Sequence, residues 1–426
     1  MNNFKLTLLV IMAIGVFYQP IVAKNINNEK ADTFPLCSLG VIKGKTIEIR
    51  SNVDLEGKKC LLPDNCKLRF KGGVISNGTL VGLQTTLKGK GAFFDHVKFE
   101  GSWRVPVIKS SMFRDLNYNN SLKDVISLTN PQEYNLVILD NGDYAVSALT
   151  SNDACISICS NTKLILSGTI HLTPNNYSNY NIIKLEGNNI EITGEGSVVG
   201  DRFSHLGSSG EWGMGILVTH ASDVKISGLH ISDCWGDCIY VGGESNDVLI
   251  DNCSISSGRR QGISITSAGT VRISNCYIKN VGGTKPEYAI DIEPNQGNTV
   301  KNVRIDNVSV ENCKGGFLAY GKASKATIGS IFINNCTVAG VNKPAINAIK
   351  CSTVSVTNCH IIQLNKSRVI KCENIDKLVI LNNILQKFCA NGDVFKGERE
   401  AIDNISDYII LSNCDNQTVA NNSELR

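Results

Sequence analysis

Asp291 and Glu293 stand two residues apart in the run Tyr288-Ala-Ile-Asp-Ile-Glu293, where they alternate with Ile290 and Ile292. Strand geometry places both carboxylates on one face, roughly 6 to 7 Å apart, with the isoleucines on the other. That separation suits a general acid and a general base on either side of a glycosidic bond. Neighbouring segments extend the pattern. Their paired apolar residues, Ile216 and Val218, Ile239 and Val241, Ile263 and Ile265, Phe317 and Ala319, can be stacked on Ile290 and Ile292. The stacking puts Leu217, Tyr240, Ser264, Asp291 and Leu318 in one outward row, with Met214, Asp237, Gln261 and Tyr288 in a second. A third holds Gly242, Thr266, Glu293 and Tyr320. Asp237, Asp291 and Glu293 are therefore the catalytic candidates, and Arg259, Arg260 and Gln261 the polar groups expected to contact substrate. The competing expectation is a polar outer face neutralised by Arg259, Arg260 or Lys285.

Two insertions flank these residues, Asp201 to Gly213 and Val281 to Tyr288. Sugar binding calls for an aromatic surface under the apolar face of a ring and polar groups for its hydroxyls. Trp212, Tyr240, Tyr288 and Tyr320 can supply the first, and His205 adds a further acid–base group.

What must position these residues is a repeat. The pattern apolar-x-apolar-x-Asn-Cys-x-apolar recurs with Asn252, Asn275, Asn307, Asn335, Asn358 and Asn382, at steps of 23, 32, 28, 23 and 24 residues. Gly168, Gly194 and Gly228 hold the corresponding place upstream. Within each copy the apolar residues alternate, which is the period of a strand and excludes a helical solenoid. Strands that recur once per coil stack in parallel, so the fold class is all-β, a right-handed parallel β-helix. Cys253, Cys276, Cys336 and Cys359 then form an inward column of thiols, and the asparagines a column of turns suited to left-handed backbone. Insertions on a fixed base period are how a solenoid places functional loops on one face.

Several function classes fall away. The formal net charge of +3 over 426 residues is too small for a sequence-independent grip on nucleic acid. Met1 to Ala23 combine Lys5, a short apolar run and Gln19-Pro20, as a cleaved export signal does, which predicts a secreted or periplasmic protein with no membrane span after its removal. A retained membrane anchor is the other reading of that segment. Of the sixteen cysteines, Cys253, Cys276, Cys336 and Cys359 fall on the repeat position, which points to packing more than to a disulfide framework and leaves a disulfide open. The expected division is a signal at 1–23, an N-terminal cap or small β domain at 24–120, the β-helix at 121–390, and a C-terminal cap with a polar tail at 391–426.

Gly236-Asp-Cys-Ile-Tyr-Val241, Asn252-Cys253 and Arg260-Gln-Gly-Ile-Ser-Ile-Thr-Ser267 resemble the polygalacturonase-type glycoside hydrolases, whose Asp-Asp-Cys-Ile, Asn-Cys and Gly-His-Gly-Ile-Ser-Ile strands follow one another in the same order. Asp237 matches the second aspartate of that family's pair, Gly236 replaces the first, and Gln261 stands for the histidine. The family's Arg-Ile-Lys substrate motif is absent where Ile290-Asp-Ile-Glu293 stands. More broadly, the repeats from about Tyr144 to Leu385 resemble the pectin-lyase-like β-helix superfamily of hydrolases, lyases, epimerases and phage tailspikes. The resemblance implies a polysaccharide partner and leaves three functions open. One is hydrolysis of a polysaccharide by Asp237, Asp291 and Glu293, without cofactor. Another is lyase or epimerase chemistry on a uronic-acid polymer, with Arg260 or Lys285 as base and Ca2+ held by the acidic cluster. The third is glycan or protein binding without catalysis.

Overall fold

The computed structural model describes residues 44, 46–116, 118, 120–363, 369–387, 399–401 and 408–425. The export signal expected at 1–23 lies outside them, as does part of the C-terminal tail. Among the described residues, no helix is long and apolar enough to cross a membrane.

Each coil of the central region is built from three strands. The first is short and carries the chemistry-bearing rows: Ile239–Gly242, Ile263–Ile265, Tyr288–Ile292 and Gly315–Tyr320 in successive coils. The second is the apolar-x-apolar run that ends at the repeat asparagine: Asn246–Asp251, Ala268–Ser274, Thr299–Asp306 and Thr327–Asn334. The third follows the cysteine position: Ser254–Ser256, Tyr277–Lys279, Ser309–Glu311 and Thr337–Val341. First and second strands join one 18-stranded sheet, and third strands a separate 12-stranded sheet. The ladders are parallel and keep the register the sequence implies: Val248 pairs with Val271, Val271 with Val303, Val303 with Ile331, Ile331 with Val354 and Val354 with Leu378. An antiparallel pair, Arg399–Ala401 with Ser423–Leu425, lies at the C-terminal end of the 12-stranded sheet. The chain is thus a right-handed parallel β-helix.

The corner between second and third strands explains the asparagines. Asn252, Asn275, Asn307, Asn335, Asn358 and Asn382 all have φ between 51° and 58°, where asparagine is tolerated far better than β-branched residues. Their amides continue up the stack, Asn307 Nδ2 donating to Asn275 Oδ1 at 2.8 Å. Gly228 turns the same corner upstream at φ 80°, and a Cβ there would lie 2.4 Å from the carbonyl oxygen of Gly194. Inside the corner Cys253, Cys276, Cys336 and Cys359 are buried and free. Their thiols donate to backbone carbonyls, Cys276 Sγ to Ser274 O at 3.1 Å for example, and so need no disulfide. Cys60, in the N-terminal region, is disulfide-bonded.

That N-terminal region forms a six-stranded sheet, which includes Thr46–Ile49, Lys67–Phe70, Ile75–Lys88 and Phe94–Arg104, again paired in parallel. Its hydrophobic core is continuous with that of the main helix, and Val107–Lys109 pairs with Asn135–Leu139 of the large sheet. A short helix, Ser121–Ile126, sits at the junction and buries Leu122 and Val125. One continuous core makes each interior isoleucine a shared support for two coils. Burying such a side chain stabilises by about 1.5–3 kcal/mol, and truncating one to alanine costs about 2–5 kcal/mol.

Candidate active site

The strand register assembles the site. Ile263 pairs with Ile290, which sets Ser264 beside Asp291, and Tyr240 pairs with Ser264 on the coil before. Two residues earlier on each strand, Cys238 N donates to Gln261 O at 3.2 Å and Gly262 N to Tyr288 O at 3.3 Å, so Asp237, Gln261 and Tyr288 stack in the order expected. Glu293 N donates to Ile265 O at 3.0 Å, which places Glu293 one row further along.

These rows turn away from the solenoid interior, with Leu217, Tyr240, Thr266, Glu293 and Tyr320 partly exposed, but Asp237, Gln261 and Asp291 do not reach open solvent, which corrects the expectation of an exposed face at those three positions. Asp237 and Gln261 are 0% exposed and Asp291 is 2% exposed, whereas Glu293 is only half-buried. The physical reason is a lateral network that the strand period cannot foretell. Arg260, only 16% exposed itself, donates from Nη1 to Asp237 Oδ2 at 3.0 Å and meets Glu211 Oε2 from Nε at 3.5 Å. Ser264 Oγ donates to the same Asp237 oxygen at 2.7 Å. Gln261 bridges the coils, its Nε2 donating to Asp291 Oδ2 at 3.0 Å and its Oε1 accepting from the Tyr288 N–H at 2.7 Å. The other oxygens, Asp237 Oδ1 and Asp291 Oδ1, are buried without a hydrogen-bond partner. Buried polar atoms are nearly always satisfied, so these two oxygens are available to a water or a ligand.

Burial lifts the Asp237 carboxyl above its ordinary range, although the Arg260 guanidinium and the Ser264 hydroxyl pull the other way. Burial outweighs the ion pair here. Asp291 is lifted well above the usual carboxylate range by burial and then by Glu293 and Asp237, with Arg260 giving only partial relief. Burial also raises Glu293, against the pull of Arg260. Desolvation acts to lower Arg260, but Asp237, Asp291, Glu211 and Glu293 overcome it and hold the guanidinium above its normal value. Both carboxyls are thus raised by burial, Asp237 within a bonded ion pair and Asp291 without one of its own.

The remaining predicted residues separate into two groups. Arg259 is committed to structure: Nε donates to Trp235 O at 2.7 Å, Nη1 to Thr284 Oγ1 at 2.6 Å and Nη2 to Gly210 O, while the guanidinium stacks 3.6 Å from the Trp235 ring. The His205 side chain is buried, with Nδ1 2.8 Å from Asp201 Oδ2 and its ring stacked 4.0 Å from Trp235. Tyr288 is 4% exposed and packs over Gly315, where a Cβ would meet its ring at 2.4 Å. It offers no open platform, because the glycine opposite lets the ring lie flat.

Trp212 and Tyr240 have the other character. Trp212 is 48% exposed. It lines a groove of about 400 Å3 with Tyr240, Met214, Leu217, Asn152, Asn179 and Asn181. Asn152, Asn181 and Leu217 also line a larger groove of about 760 Å3, which runs towards the helix Ser121–Ile126. Asp237, Asp291 and Glu293 line neither groove; in the register Tyr240 lies beside Ser264 and Ser264 beside Asp291. The sequence reading passed over Ser264, Glu211 and these asparagines as site residues. Ser264 was visible in the outward row, but nothing in the spacing marked it as an Asp237 partner.

The class that fold and repeat define is the right-handed β-helix, and residues 168–330 match the family model described as the right-handed β-helix region. Among curated proteins, the chain is similar to YclG of Bacillus subtilis (strain 168), 30% identical over 210 residues, which are 42% of this chain and 35% of that protein. It is also similar to the SPbeta prophage-derived protein YorA of the same strain, 26% identical over 281 residues, 58% of this chain and 47% of that one. The chain spans less than half the length of these two relatives. Among solved structures, the Family 28 exopolygalacturonase of Yersinia enterocolitica aligns with a TM-score of 0.48 at 12% identity, covering 75% of this chain and 79% of that one.

Proposed function

We propose that the protein is an exported glycan-active enzyme, a glycoside hydrolase in which Asp291 is the proton-holding acid and Asp237 the ionised partner. The observation that carries this reading is the pair of buried, unpartnered oxygens, Asp237 Oδ1 and Asp291 Oδ1, on carboxyls with unequal surroundings. An acid that donates to a leaving oxygen must keep its proton near neutral pH, and the buried Asp291, crowded by Glu293 and Asp237, has reason to do so. Asp237, held by Arg260 and Ser264, is the better candidate to orient or deprotonate water. Glu293, half-buried beside them, can take either supporting role.

The surroundings of Arg260 weigh against a lyase or epimerase. A base must release its proton first, and the neighbouring acidic groups, Asp237 foremost, hold this guanidinium charged. The same guanidinium supplies the acidic cluster with a resident cation, which reduces the need for Ca2+.

Purified protein incubated with a broad panel of polysaccharides is expected to release reducing ends without absorbance from unsaturated products. Both signals rising together would replace the hydrolase with a lyase. Silence in both would leave binding as the function.

A further inference from the structure

The two grooves beside Trp212 form one trough, because Asn152, Asn181 and Leu217 line both. It lies on the same sheet as the acidic cluster, on earlier coils. Its floor follows one row of the register, Ser157 beside Lys184, Lys184 beside Leu217 and Leu217 beside Tyr240, which spans about 14 Å at the strand spacing. Ser264 and then Asp291 continue that row beyond its end. Asp291 therefore stands about 10 Å past Tyr240.

Asn181 distinguishes the trough from ordinary surface. It is 8% exposed, yet among the described residues its side-chain amide has no hydrogen-bond partner. A buried amide left open carries a free-energy cost that a ligand hydroxyl removes. Beside it Asn179 Nδ2 donates to Asn152 Oδ1 at 2.5 Å, which leaves Asn152 Nδ2 and Asn179 Oδ1 for a ligand. The half-exposed Trp212 and the partly exposed Tyr240 close this end with aromatic faces. Lys123 and Ile126 of the short helix wall the other.

The lining also narrows the kind of ligand. It holds two lysines, Lys123 and Lys184, and two acids, Asp153 and Glu186, with Lys184 Nζ paired to Glu186 Oε2 at 2.6 Å. That balance gives no general hold on nucleic acid. The floor strand Asn179–Thr193 is paired on both sides, with Asp153–Ile158 and with Trp212–Ser227, so it offers no open backbone edge to an added peptide strand. Open amides and aromatic faces along an extended trough are what a run of sugar rings needs.

We infer that the trough is a polysaccharide-holding site set apart from the carboxylates. Asn152, Asn179 and Asn181 bond ring hydroxyls there, and Trp212 and Tyr240 stack on ring faces. The ligand class rests on the reading just given, but holding the chain requires no proton transfer.

Titration with soluble glucans, mannans, galactans, polygalacturonate and alginate tests this, followed by tryptophan fluorescence and by retardation in gels that contain the polymer. At least one polymer is expected to bind and to shift the emission of Trp212, and Asp291→Asn is expected to bind it as tightly as the wild type. Asn181→Ala and Trp212→Ala are each expected to weaken that binding by about fivefold. Trp212 is half-exposed, so its variant still decides the matter if Asn181→Ala fails to fold. Binding unchanged in the folded trough variants, or abolished by Asp291→Asn, would overturn the holding site. Retention of no polymer would do the same. Release of reducing ends is scored separately: cleavage with trough variants unaltered in KM would leave the hydrolase and remove the holding site, and trough-dependent binding without cleavage would do the reverse.

Discussion

Two buried polar clusters lie on neighbouring coils and end differently. In the first, Asp201 is 1% exposed and both its oxygens are used. Oδ1 accepts from the Tyr180 hydroxyl, and Oδ2 accepts from Asn175 N at 3.2 Å and Asn175 Nδ2 at 3.1 Å, with His205 Nδ1 2.8 Å away. Its unpartnered atoms are ring nitrogens, His205 Nε2 and Trp235 Nε1, on stacked aromatic faces. In the second, Asp237 and Asp291 are as deeply buried, yet each leaves one oxygen unused. A satisfied carboxylate anchors a loop, here the one that carries Trp212. An unsatisfied pair keeps a free-energy cost that only a ligand or a water removes, and the proposed function rests on that difference.

The comparison breaks most visibly at Asp201. Asp201→Ala strands a buried tyrosine hydroxyl and an asparagine amide, and stability in urea is expected to fall by about 3 kcal/mol or more. A loss near zero would mean that the cluster is no anchor. Arg260→Met comes next. Without its counter-ion Asp237 sits further above its unfolded value of 3.8, and a carboxyl raised by folding stabilises below its unfolded pKa and stops doing so as pH climbs through the folded one. The variant should therefore lose about 2 kcal/mol near neutrality and recover on acidification, less than for a fully buried pair because the guanidinium edge meets solvent. Urea unfolding at several pH values checks both the size and the direction.

The wild type should show the same sign more gently. Asp291 is raised well above 3.8, so stability present at acid pH declines as pH rises through its folded pKa, by about 1.4 kcal/mol for each unit that separates the two states. Asp291→Asn should flatten that slope, with the two curves meeting at low pH. The smallest effect is expected at Trp212, exposed and outside both clusters. Trp212→Ala should raise KM about fivefold, with kcat and Tm unchanged, the loss of one aromatic face under a sugar ring.

How much of this was legible in the sequence follows from which interactions are periodic. Alternation at Ile239, Ile263 and Ile290 fixed the strand faces, and with them the stacking of Asp237 on Gln261 and of Ser264 on Asp291. The repeat asparagines announced the left-handed corner, and Cys253 and its equivalents the inward column. Burial of the carboxylates was not legible, because it arises from side chains that reach sideways from loops of unequal length. Arg260 and Gln261 are adjacent in the chain, yet one turns to Asp237 and the other to Asp291. The same limit hid the role of Arg259, whose partners Gly210, Trp235 and Thr284 come from three separate loops, and of His205, whose acid–base chemistry is absorbed into the Asp201 anchor.

The most direct test of the account is to make Asp291→Asn and measure product release and thermal unfolding on the same preparation. An essential acid predicts a fall in glycan hydrolysis of about 10²–10⁴-fold, with a Tm at neutral pH equal to or above that of the wild type, because the substitution removes a carboxyl that burial penalises. Hydrolysis retained while the Tm drops would contradict it, and would make Asp291 a second structural anchor like Asp201.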